Sequence, residues 1–202
     1  MPYSGHPPHH LGSGPGGRAP LGIEVRPWRE TDVMLLHAAE PTFSSGSLTR
    51  RFRSGTTRFP PAYLRSLRQP GAGGRRWMAT VVTAGGRLVG LAEVAWLPGV
   101  AEPPDLAVLV ADAWQSRGVG DRLVREMLRQ CAAAGVPVVT AEADAVNAPV
   151  IRLADRLIGR AAAGLPWHLD ARVRGGTRHF LFTYRGDPAG GRSDRPASWS
   201  GR

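Results

Sequence analysis

Lysine is missing from all 202 residues, and cysteine occurs once, at Cys131. Without lysine there is no Walker-type phosphate loop, whose last glycine must be followed by one. With one cysteine there is neither an intrachain disulfide nor a cysteine-based zinc site. Cys131 falls on the apolar stripe of a predicted helix, where inert packing is expected. No apolar run approaches the ~20 residues that span a bilayer. Residues 1–20 also lack a signal peptide's apolar stretch. A cytoplasmic protein without membrane contact is expected. His6, His9 and His10 stand in a Pro/Gly-rich stretch that fixes no ligand geometry, so no metal is expected.

What is abundant is arginine. All 26 basic residues are arginine, against 16 acidic ones, for a formal charge of +10. Such a surplus suits a phosphate polymer. Here, however, the arginines are spread along the chain beside much Ala, Gly and Pro, which reads as compositional bias, and nucleic acid is not expected as the main partner. Residues 1–20 and 186–202 are rich in Gly, Pro, Ser and Arg with little apolar content, and are expected to be disordered tails. Residues 21–185 then form one domain, long enough to bury a core.

The most informative stretch is Gln115-Ser116-Arg117-Gly118-Val119-Gly120. Before it, Leu106 to Val110 is an apolar run fit for a strand buried on both faces. After it, Leu123, Val124, Met127, Leu128 and Cys131 mark one face of a helix. Strand, glycine loop and helix together make an anion cradle: glycine lets backbone N–H groups approach, and the helix N-terminus adds unpaired donors with roughly half a positive charge. A dinucleotide fingerprint is excluded, since Leu123 occupies the place of its third glycine.

With Ala113-Trp114 before this Q-x-x-G-x-G, Val138-Val139-Thr140-Ala141-Glu142 after the helix, and Asn147 opening a further helix, the sequence resembles the GNAT family of acetyl-coenzyme A-dependent N-acetyltransferases. That resemblance implies an α/β fold with a mixed sheet of six to seven strands, flanked by about four helices. Strands four and five splay apart, and the cofactor's pantetheine arm lies in the gap. It implies that the amides of Val110, Gln115, Gly118, Val119, Gly120 and Asp121 hold coenzyme A, with Ser116 and Arg117 in the same loop. Backbone groups of Leu109 and Val110 would pair with the arm like an added strand, and Asn147 would bond it while capping its helix. A second segment, Phe43-Ser44-Ser45-Gly46-Ser47-Leu48-Thr49-Arg50-Arg51-Phe52, is similar to one in bacterial Pat-type protein lysine acetyltransferases, with Phe43 in place of leucine. Ser44 or Ser47 capping a helix, with Phe52 packed beneath, accounts for the same residues without a substrate.

An amine must lose its proton before it attacks a thioester. At a pKa of about 10.4 this costs roughly 4.6 kcal/mol at pH 7. The resemblance puts Asp105 where many relatives carry a glutamate base. The same residue also reads as the solvent-exposed start of a strand. Glu93, read as an exposed strand position, and Glu142 are the other candidates. Two departures stand out. Ala154 replaces the tyrosine that protonates the leaving thiolate in many relatives, and Ile158-Gly159 replaces a Gly-Phe ending the last helix. The strands expected at 167–173 and 179–184 are therefore left without an assigned order. The acceptor is a protein lysine or a small amine, the chain a monomer or homodimer, and the rival class a coenzyme A-binding regulatory module without turnover.

Overall fold

The computed structural model describes residues 22–69, 71–161 and 166–186. The expected tail 1–20, and all of 186–202 but Gly186, lie outside these residues. One mixed sheet of seven strands runs in the order β1-β2-β3-β4-β5-β7-β6. The strands are β1 (Ile23–Pro27), β2 (Arg76–Ala84), β3 (Arg87–Trp96), β4 (Asp105–Val110), β5 (Val138–Asp144), β6 (Trp167–Arg174) and β7 (Thr177–Tyr184). The expected hairpin forms at Gly85-Gly86, both at positive φ, which a two-residue turn between twisted strands requires. The final hairpin folds back so that β7, the last strand, pairs with β5.

Five α-helices are present among the described residues, one more than about four. They are α1 (Asp32–Ala39), α2 (Ser45–Phe52), α3 (Pro61–Arg68), α4 (Val119–Ala133) and α5 (Ala148–Ala161). The extra count arises before β2, where local signals cut the chain into three short helices. Ser44 caps α2 by accepting from the Ser47 N–H, and Arg53 ends it in the left-handed region at φ 51°. Pro61 then opens α3 at a position where its missing N–H costs nothing. Helix α5 passes through Gly159 rather than stopping there.

The sheet carries an apolar cluster on each face. On one side α4 lays Leu123, Val124, Met127, Leu128 and Cys131 on β3 and the neighbouring strands, together with Phe180 and Phe182 of β7. On the other, Leu36, Leu48 and Leu67 of the first three helices, with Phe43 and Phe59 from the segments between them, pack on Val81, Leu91 and Leu109. Close approach of α4 to β3 depends on Gly90: a Cβ there would stand 2.9 Å from Leu123 and 3.0 Å from Val119. The first helix is anchored by Asp32, 1% exposed, which accepts from both terminal nitrogens of Arg26 at 2.7 Å and from the Arg29 N–H. Thr31 makes no capping bond.

Candidate active site

Parallel strands β4 and β5 meet at one register pair, Asp105 with Thr140. The Thr140 N–H donates to the Pro104 carbonyl at 2.8 Å. Beyond that point they diverge. Along β4 the Ala111 N–H donates to Val89 of β3. Since each residue of an antiparallel strand turns both its backbone groups to one side, in alternation, Leu109 also faces β3, whereas Val108 and Val110 face the gap. Leu109, which the resemblance pairs with the arm, turns its backbone groups to β3 instead, and Val108, which the sequence does not single out, takes its place on the open edge. Which residues alternate toward the gap is fixed by pairing register, a non-local property.

At the far end of the gap lies the glycine loop. Ser116 has φ 60° and Gly118 φ 81°, so the chain turns sharply before α4 begins at Val119. The first backbone bond of the helix runs from the Arg122 N–H to the Gly118 carbonyl. The N–H groups of Gly118, Val119, Gly120 and Asp121 therefore precede the helical ladder as unpaired first-turn donors. The Gln115 N–H, by contrast, is bonded to the Asp112 carbonyl. It is not a free donor. The Gln115 side chain clamps the loop instead, donating to Ser47, Asp112 and the Val110 carbonyl at 3.1–3.2 Å. Arg117 lies over the Trp114 ring, 5.7 Å from its centroid. The Asp121 carboxylate is buried and paired with Arg125.

A cavity of about 570 Å³ joins these parts. It touches Ser116, Gly118 and Gly120 at one end, follows Leu109 and Val110, passes Asn147, and reaches Asp105 and Glu142. Arg117, Val119 and Asp121 do not line it. Asn147 caps α5, accepting from the Val150 N–H at 3.4 Å, and borders the cavity as well. A second cavity, of about 510 Å³, shares Arg51, Glu102, Pro103, Asp105 and Ala107 with the first. The two meet at Asp105.

The three candidate carboxylates stand on the same side of the sheet, because Glu93, Asp105 and Glu142 alternate with residues of the α4-side cluster. Their surroundings separate them. Glu93 is 5% exposed, not the open strand position expected. It is ion-paired with Arg51 of α2, and its other oxygen accepts from the Trp77 indole at 2.8 Å. Both oxygens are engaged, so Glu93 is a poor proton acceptor. Glu142 is half in solvent and shared between Arg53 at 2.7 Å and His179 at 2.9 Å. Asp105 has no ion pair or hydrogen bond of its side chain among the described residues. Burial pushes its carboxyl above the ordinary value; Arg51 opposes this, and Glu142 and Glu93 reinforce it. Its side chain is open to solvent from the cavities yet walled by protein beyond, which is why an accessible group is still poorly solvated.

Residues 23–157 match the family model for the acetyltransferase (GNAT) domain. The chain belongs to the GNAT acetyltransferase family. No curated protein matches the sequence. Solved structures similar to this GNAT domain include the GNAT domain of S. lividans PAT, at 20% identity and TM-score 0.64, covering 80% of this chain and 90% of that one. A ribosomal-protein-alanine N-acetyltransferase from Brucella melitensis is also 20% identical, with TM-score 0.57 and coverage of 80% and 99%. The yncA protein of Salmonella typhimurium, solved with its cofactor acetyl-CoA, is 17% identical, with TM-score 0.54 and coverage of 83% and 96%. At these identities the likeness is one of fold. The family's chemistry is acyl transfer from coenzyme A. Among the described residues no helix is long and apolar enough to cross a membrane, and no cluster of three or more His, Cys, Asp or Glu side chains could hold a metal.

Proposed function

We propose that this GNAT domain transfers the acetyl group of acetyl-CoA directly to a primary amine, with Asp105 as the general base. The observation that carries the reading is the meeting of two cavities at Asp105: one leads from the α4 amides along the free edge of β4, and the other opens from the β3–β4 side. Coenzyme A fits the first. Its diphosphate matches the N–H groups of Gly118, Val119, Gly120 and Asp121, and the amides of its arm match the edge groups of Val108 and Val110. The overall positive charge favours such a polyanion.

The amine enters by the second cavity. It gives a proton to Asp105, directly or through water, and attacks the thioester carbonyl. The tetrahedral intermediate then expels the coenzyme A thiolate, whose thiol has a pKa of about 8.5 and needs little help to leave. A carboxyl pKa raised by burial makes Asp105 a stronger base than an exposed aspartate. A protein lysine is the first acceptor to test, since α2, which resembles the Pat-type segment, borders both cavities through Arg51.

Calorimetric titration with acetyl-CoA, followed by a thiol-release assay with lysine peptides and small amines, tests the proposal. Binding with release that Asp105→Ala removes is expected. Binding without release from any amine would favour a regulatory module, and no binding would end both readings. Because the chain has no lysine, acetyl-lysine found by mass spectrometry of the reaction mixture comes from the acceptor.

A further inference from the structure

Interiors of folded proteins are packed to nearly crystalline density, and voids larger than a water molecule are few. The first cavity nonetheless extends past the plane of β4 and β5 into the main core. There Val124, Ala154, Leu157, Phe180 and Phe182 line it, each at most 7% exposed, beside Ala141 of β5. Two helices and two strands thus line it at one spot, and two of the six side chains are only alanine. An apolar void of this kind takes an apolar guest.

The guest is not the pantetheine arm. Its two amides would lose their hydrogen bonds against aromatic and aliphatic carbon, at a cost that the edge groups of Val108 and Val110 avoid. With the arm on the strand edge, the part of the donor left to enter the core is whatever lies beyond the sulfur. Resting on the acyltransferase reading above, we propose that this inlet seats an uncharged acyl chain longer than acetyl. The preferred donor is then a short-chain acyl-CoA such as propionyl- or butyryl-CoA. Ala154 sets the depth.

Calorimetric affinities for free CoA and for acetyl-, propionyl-, butyryl-, hexanoyl- and succinyl-CoA test this without an acceptor. The expected result is roughly fourfold tighter binding for each methylene added from acetyl to butyryl. In Ala154→Phe the butyryl-to-acetyl affinity ratio falls toward one. An affinity that is flat or weaker from acetyl to butyryl, while free CoA still binds, would overturn the inference and leave the proposed function standing. An unchanged ratio in a folded Ala154→Phe protein would overturn it too. Arg156 also borders the cavity; a gain confined to succinyl-CoA and lost in Arg156→Gln would replace the uncharged chain with one ending in a carboxylate. Failure of free CoA to bind would remove the proposed function and this inference together, and so is distinct from a flat series.

Discussion

Asp105 and Thr140 are the pair at which β4 and β5 touch before they part, so the candidate base stands at the crotch of the splay. Asp105→Asn keeps the strand and removes the proton acceptor. Turnover should fall about 10²- to 10⁴-fold with little change in CoA affinity, read by thiol release and calorimetry.

The same group makes an opposite prediction for stability. Its folded pKa lies above the ordinary 3.8, so the folded chain binds its proton more readily than the unfolded chain. The stability it contributes is present below the unfolded value and is lost as pH rises through the folded one. At pH 7, Asp105→Asn should therefore melt at the same temperature as the parent or higher. A clear drop in Tm would mean that Asp105 is structural.

Glu93 behaves the other way. Glu93→Gln leaves Arg51, whose side chain is 18% exposed, without its anion. A loss of about 3 kcal/mol in denaturant unfolding is expected. Replacing Arg51 with methionine in the same chain should recover part of it, which a double-mutant cycle measures.

Gly90 lets α4, and with it the glycine loop, sit close on β3. In Gly90→Ala the new methyl would press on Leu123 and Val119, the latter the first residue of α4. Overpacking of this kind costs about 1–3 kcal/mol, and CoA affinity should weaken although Gly90 touches no ligand. Unchanged affinity in calorimetry would separate loop geometry from this contact.

Cys131 is fully buried, and burial pushes its thiol up to about 12. Native protein should not react with thiol reagents at pH 8, and one equivalent should react after unfolding. An inert thiol also leaves thiol-release assays without a protein background.

Periodicity, capping and glycine placement are local, and these are what the sequence determined. They include the strand before the glycine loop, the apolar face of α4, the two-glycine hairpin, a serine cap at Ser44 or Ser47, and first-turn donors at Gly118 to Asp121. Each follows from residues within a few positions of one another. Tertiary structure decided what depends on distant partners. Glu93 reads as a candidate base until Arg51, 42 positions away, and Trp77 occupy its carboxylate. Leu109 reads as a free strand edge until pairing with β3 settles which residues turn outward. Only the folded chain brings Asp105 to the junction of two cavities, because desolvation and electric field at a site are summed over elements that the sequence keeps far apart.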